Sequence, residues 1–308
     1  MQQRGMHTFT VGAASPTLRE ALSAYHELTK PGITLMVVIT AAAGFYLALP
    51  RNAFVYLNMA YAARFIATIA GTALVSGGSC ALNHVMERRF DAQMKRTMFR
   101  PLPSGRVRSE HAAIFGGVLT LAGLALLASL SVLAASLAAL TWVLYLAVYT
   151  PLKRRSQLST LIGGIPGALP PLGGWVMGGG GIETGGVLLF VMLFLWQMPH
   201  FLSLAWMYRK DYERGGFPML TVGDESGMVV ARHIVSYTVL LVLFSASLTA
   251  FRVTGVIYFA GSLLLGAGFI AMGVRFFLDR SSAKARSVLL TSYVYLLAVL
   301  TLMFIDKA

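Results

Sequence analysis

Apolar runs separated by charged turns dominate this 308-residue chain, recurring at about 33–50, 63–83, 112–130, 132–150, 160–178, 187–206, 233–251, 255–275 and 288–305. Each is close to the roughly 20 residues that an α-helix needs to cross a hydrocarbon core about 30 Å thick. The pattern predicts an all-α polytopic membrane protein with about nine transmembrane helices. Composition agrees: 56% of residues are hydrophobic and 12% charged, against roughly 25% charged in soluble domains. No polar stretch is long enough for a second domain. The chain reads as an N-terminal segment, 1–30, and one membrane domain, 31–308. The first thirty residues hold no apolar core followed by a small-residue cleavage site, so a removed signal peptide is not expected. Cys80 is the only cysteine; it excludes an internal disulfide and reads as buried filler.

Charge adds an orientation. Counted by alternate loops, 21 of the 25 Lys and Arg residues fall on one side, with Arg51, Arg64, Arg252 and Lys307 on the other. The positive-inside rule then places the N-terminus and the charged loops in the cytoplasm and the C-terminus across the membrane. The net charge of +13 is a property of one membrane face, and no nucleic-acid partner is implied.

Only twelve residues are Asp or Glu, and carboxylates near a bilayer are costly enough for their positions to matter. Glu87 and Asp91 follow the second apolar run; Asp211 and Glu213 follow the sixth. Asp211 lies 120 residues after Asp91, which suggests two degenerate halves, 31–155 and 156–280, plus a ninth helix at 288–305. Asn83, Glu87 and Asp91 are spaced i, i+4, i+8, so a continuing helix would carry them as one oxygen-rich stripe. Hard oxygen ligands of this kind suit Mg²⁺, which keeps open positions for phosphate oxygens. Lys95, Arg96 and Arg100 follow directly, and Lys153 and Arg154 follow the fourth run; these are phosphate donors or, equally, topology anchors. Arg106, Arg108, Arg155 and Arg214 read as anchors only.

These residues resemble a known family. The stripe with its continuation "KRTMFRPLPSG", together with "ELTKPGIT" (27–34), "YTPLKRRSQLSTLIGGIPGALPPLGGW" (149–175) and "WQMPHFLSLAWMYRKDYERGGFPML" (196–220), is similar to the UbiA-type intramembrane prenyltransferases, in the branch that prenylates heme. Glu at 87, where most of the superfamily has Asp, is one mark of that branch. The resemblance implies a helical bundle whose central cavity opens to the cytoplasmic side of the inner membrane. It also implies Mg²⁺-dependent transfer of farnesyl from farnesyl diphosphate to the 2-vinyl group of heme b. Water adds, giving heme o, which heme A synthase or terminal-oxidase assembly proteins would receive. Asn83, Glu87, Asp91 and Asp211 become the expected metal and catalytic set. Lys95, Arg96, Arg100, Lys153 and Arg154 become diphosphate contacts. His200, after the helical Pro199, is either a buried hydrogen-bonded ring or a heme contact. His84, about 100° round the helix from Asn83, reads as packing.

The chain departs from the family twice. Gly32 follows "TKP" where the branch often has Arg, so a cationic contact from that position is missing unless Lys30 substitutes. Gly215 stands four residues after Asp211 where the wider superfamily often has Asp; the heme branch commonly lacks it too, which weakens a symmetric two-metal picture. Tyr145, Tyr149, Trp196, Trp206, Tyr208 and Tyr212 are candidate walls for a carbocation or ordinary interfacial aromatics. The run 160–181 holds nine of the 31 glycines and three prolines; it is expected to break or bend, either for tight packing or to make room for a flat ligand. Two rival functions remain open: prenylation of another acceptor such as 4-hydroxybenzoate, and carriage of an anionic metabolite. An anion carrier has little use for Glu87 and Asp91.

Overall fold

The computed structural model describes residues 17–50 and 59–308; most of the N-terminal segment, and Arg51 from the charge count, lie outside that set. Among the described residues every regular element is a helix. The first was not expected. Helix α1 (Leu18–Leu28) starts at a capping box in which Thr17 and Glu20 satisfy one another's backbone N–H groups. It buries Ala24 and Leu28 and leaves Leu18 and Leu22 exposed.

The spanning helices follow in order: α2 (Pro31–Ala48), α3 (Met59–Asp91), α4 (Ser109–Ala128) and α5 (Val132–Leu152). Next come α6 (Ser159–Met177) and α7 (Thr184–Met207), the short α8 (Arg209–Arg214) and α9 (Leu220–Gly223), and then α10 (Met228–Ala250), α11 (Val256–Leu278) and α12 (Ser282–Ile305). Among the described residues, eight helices are long and apolar enough to cross a membrane. The ninth predicted span is α6, of 19 residues, whose glycines and prolines dilute its apolar content. The outer faces of the bundle fit a lipid environment: Ile66, Leu121, Leu264 and Val294, on four different helices, are all well exposed.

One expectation about helix continuity is corrected, and one irregular turn was not expected. Helix α6 runs unbroken through Pro166, Pro170 and Pro171. Its glycines explain how it is held: a Cβ on Gly174 would run into the Ala41 carbonyl, and one on Gly44 into the Pro171 carbonyl. Helices α2 and α6 therefore touch backbone to backbone, and this close packing supports a helix whose own hydrogen bonds are incomplete. The irregular turn lies instead in α5, where Leu144–Tyr149 is π-helical. Pro151 follows at once and cannot continue the ordinary hydrogen-bond ladder.

The largest core cluster among the described residues packs Trp175, Trp196, Trp206, Tyr258, Phe269, Phe276 and Tyr295 from α6, α7, α11 and α12. An apolar cavity of about 570 Å³ lies between the C-terminal ends of α2 and α12 and the start of α3, lined by residues such as Ile39, Phe45, Tyr61, Phe65, Leu300 and Phe304. None of its lining residues belongs to the acid stripe, which stands at the other end of α3.

Candidate active site

Helix α3 has 33 residues, about 50 Å at 1.5 Å per residue, so it outruns the hydrocarbon core and carries its last turns beyond the apolar run. Those turns are the acid stripe. Asn83, Glu87 and Asp91 all lie on α3 and are buried, with 2%, 5% and 0% of their surface exposed. A solvated helix end is thereby excluded. Carboxylates buried to this degree need charged partners, and each residue has one from a different part of the chain.

Lys30 Nζ donates to Asn83 Oδ1 at 2.7 Å. Lys153 Nζ donates to Glu87 Oε1 at 2.9 Å. Arg100 Nη1 lies 2.9 Å from both oxygens of Asp91. Asn83 is fixed from its other end as well, its Nδ2 donating to Thr150 Oγ1 at 3.1 Å, while Thr150 donates to the Tyr145 carbonyl at 2.8 Å. The π-helical turn of α5 thus delivers Thr150 to the stripe; such turns are frequent at functional sites.

Lys30, which the sequence offers only as a possible substitute for the missing cation at position 32, reaches the stripe. It sits at the N-cap of α2 with φ 46° and ψ 66°, in the left-handed region, a conformation that costs a non-glycine residue roughly 1–2 kcal/mol. Strain of this kind collects where a side chain must be aimed. Burial lowers the Lys30 ammonium below its ordinary value, with Arg100 and Lys153 adding to the effect against Glu87 and Cys80. Lys153 is buried too, yet its pKa ends above the ordinary value because the Glu87 carboxylate more than offsets burial. Gly32 is exposed, and a Cβ added to it would meet nothing within 4 Å; the cation reaching the stripe from this turn is Lys30.

The second acidic segment folds over the same end of α3. Met94, Tyr212, Phe217 and Met219 form one buried cluster with Phe90 packed against it, and the Phe90 and Phe217 rings stand 6.0 Å apart. Lys153 Nζ lies 5.1 Å over Phe217. Asp211 is buried and paired with Arg214, so Arg214 has a partner in the site and is more than a topology anchor. At Gly215 a Cβ would meet the Phe217 ring at 2.9 Å and Met94 at 3.1 Å. A larger residue here would have to displace both side chains.

The remaining candidates divide. Arg154 stacks on Phe90 at 3.8 Å and Arg96 on Tyr208 at 5.1 Å; both border the cluster. Lys95 is exposed on the turn after α3. Tyr145 and Tyr149 stack on each other at 5.6 Å beside the stripe, and Gly163 leaves room for the Tyr149 ring. Trp196 and Trp206 instead donate to the backbone carbonyls of Ser292 and Arg280. His200 is buried, with its Nδ1 2.8 Å from Ser292 Oγ and its ring stacked on Trp196 at 4.8 Å. Cys80 is buried, as expected.

Among the described residues no three His, Cys, Asp or Glu side chains come together as a ready-made metal site. The donor set nevertheless fits Mg²⁺, an ion usually held by one or two carboxylates plus substrate phosphates. Two buried carboxylates and an amide oxygen are in register, and three cations that match phosphate stand against them. The fit is to an ion arriving with a phosphorylated ligand.

A fold of long apolar helices with oxygen donors and cations gathered at one helix end is that of an intramembrane enzyme for a lipid-linked phosphate. Residues 36–302 match the UbiA prenyltransferase family, and the chain belongs to that family. A protoheme IX farnesyltransferase of Solibacter usitatus is 42% identical over 286 residues, 92% of this chain and 98% of the relative. Solved structures share the fold at low identity. A digeranylgeranylglyceryl phosphate synthase has a TM-score of 0.75 and 17% identity, over 93% of this chain and 98% of its own. A UbiA homolog from Archaeoglobus fulgidus bound to GPP and Mg²⁺ has a TM-score of 0.64 and 12% identity, over 91% and 99%.

Proposed function

We propose that the protein transfers the farnesyl group of farnesyl diphosphate to the 2-vinyl group of heme b, with addition of water, giving heme o and diphosphate. The observation that carries this reading is the buried stripe of Asn83, Glu87 and Asp91, each met by a separate cation. The stripe accounts for the diphosphate; the acceptor rests on similarity to protoheme IX farnesyltransferases.

Asn83, Glu87 and Asp91 would hold Mg²⁺ against the diphosphate, with Asp211 either orienting Arg214 or aiding a second ion. The metal supplies positive charge opposite the oxygen that departs. Lys30, Arg100 and Lys153 exchange their partners on α3 for diphosphate oxygens, with Arg96, Lys95 and Arg154 at the border. These donors favour rupture of the allylic C–O bond, whose electron pair moves to the bridging oxygen. Tyr145 and Tyr149 offer ring faces to the farnesyl cation, and the apolar bundle keeps water from it. The vinyl π electrons then form the new C–C bond. Water adds to the resulting cation beside the porphyrin and loses a proton, leaving a hydroxyethylfarnesyl chain. His200 stands as a heme contact in this reading, reaching the ligand by the ring edge away from Ser292. The charged end of the bundle faces the cytoplasm, by the loop charges.

Membranes containing the protein, incubated with heme b, farnesyl diphosphate and Mg²⁺, should yield heme heavier by one farnesyl and one hydroxyl group in mass spectra of the extracted pigments. EDTA should abolish the product. Unchanged heme b, with prenylated 4-hydroxybenzoate formed by the same membranes, would keep the diphosphate site and overturn the acceptor.

A further inference from the structure

His84 is 2% exposed, and neither of its ring nitrogens has a hydrogen-bond partner among the described residues. A native structure rarely leaves a buried ring in this state, because an unmet polar group costs roughly 1–3 kcal/mol. Its sequence neighbours Ala81 and Val85 pack with Leu28, Leu102 and Val107. One charged neighbour is informative: His84 Nδ1 stands 3.9 Å from Asp91 Oδ2, about 1 Å beyond a hydrogen bond. In that position Asp91 is already occupied, since both its oxygens rest on the single Nη1 of Arg100. Arg100 has 21% of its side chain exposed, against 1% for Asp91; of the two, the arginine has room to leave.

We propose that His84 is the positioning residue for Asp91 during turnover. When diphosphate draws Arg100 away, the His84 ring closes the gap and donates Nδ1–H to Asp91 Oδ2, holding the carboxylate in the orientation that metal and diphosphate require. The inference rests on the diphosphate reading above. Partners of this kind are worth 10–100-fold in metal affinity where they have been removed from ligating carboxylates and histidines.

The test uses the full chain in detergent, with thermal stabilisation by Mg²⁺ plus inorganic diphosphate as a readout separate from turnover. His84→Phe keeps the packing and removes the donor. His84→Asn keeps a donor, because its Nδ2 falls where Nδ1 was. His84→Phe should leave the ligand-free Tm unchanged or higher and raise the Mg²⁺ needed for half-stabilisation 10–100-fold. The apparent KM for Mg²⁺ should rise in parallel, with kcat recovering at saturating metal, and His84→Asn should return both to within about threefold of the parent. Equal behaviour of His84→Phe and the parent, or equal losses in both variants with a lowered ligand-free Tm, would overturn the proposal and leave a packing residue. If Mg²⁺ and diphosphate fail to stabilise the parent, or do so equally in Asp91→Asn, the diphosphate reading itself fails and takes this inference with it.

Discussion

Lys153 Nζ lies 2.9 Å from Glu87 Oε1, joining the end of α5 to the acid stripe of α3 across 66 residues of sequence. The two side chains are 14% and 6% exposed, so the pair is well shielded and neither member is easily lost alone. Breaking a buried pair from one side is far more harmful than replacing both members, because it strands a charge.

Lys153→Met should therefore destabilise the protein by about 3 kcal/mol, and Glu87→Gln by less, since the amide still accepts a hydrogen bond. The double variant should recover stability relative to Lys153→Met. Activity should not follow: all three variants should lose about 100-fold or more in kcat/KM for farnesyl diphosphate, the scale of losing one charge-stabilising group. Thermal unfolding alongside product formation separates the two effects, and recovery of activity in the double variant would place the pair outside the chemistry.

Lys30 separates strain from function in the opposite direction. Lys30→Gly removes the left-handed penalty of roughly 1–2 kcal/mol, offset in part by glycine's greater freedom when unfolded. The variant should be at least as stable as the parent yet bind farnesyl diphosphate at least tenfold more weakly, because Asn83 loses its cation. A titration of substrate at fixed Mg²⁺ reads this directly; an unchanged KM would make Lys30 a capping residue only.

Restoring the superfamily's second aspartate should harm this chain. Gly215→Asp would press on Phe217 and Met94, and overpacking of this kind costs about 1–3 kcal/mol. The expected result is a lower Tm and lower kcat/KM; a gain of activity would show that the aromatic cover yields.

Two adjacent glycines in α6 give a paired test of the bundle. Gly173 has nothing within 4 Å of a Cβ, while a Cβ on Gly174 would strike the Ala41 carbonyl. Gly173→Ala should be neutral or stabilising by up to about 1 kcal/mol through helix propensity. Gly174→Ala should cost about 3 kcal/mol or more, visible as loss of folded protein from the membrane.

Most of this architecture is written in residue patterns that local physics can read. Apolar length locates the spans, and the i, i+4, i+8 spacing places Asn83, Glu87 and Asp91 on one helix face. Tertiary geometry hides the rest. Lys30 precedes Pro31 and looks like a helix boundary; nothing local says that a left-handed turn aims it 53 residues downstream. His84 stands well round the helix from its neighbour Asn83, whereas the informative partner is Asp91, seven residues on and only about 20° away in rotation. The prolines of α6 signal a break because intrahelical bonding is all the sequence displays, while the support comes from the backbone of α2. The crowding at Gly215 depends on Phe217 and Met94 meeting, which spacing alone does not encode.

The one-to-one pairing of the stripe sets a threshold for entry. Lys30, Lys153 and Arg100 are each engaged by a side chain of α3, so in the proposed reaction an incoming diphosphate replaces three internal partners. A weakly charged mimic, such as an allylic alcohol or a monophosphate, brings too few oxygens to compensate all three and leaves some of them stranded in a buried place. The resting site thereby ranks ligands by how many cations they can satisfy at once, before any bond is broken.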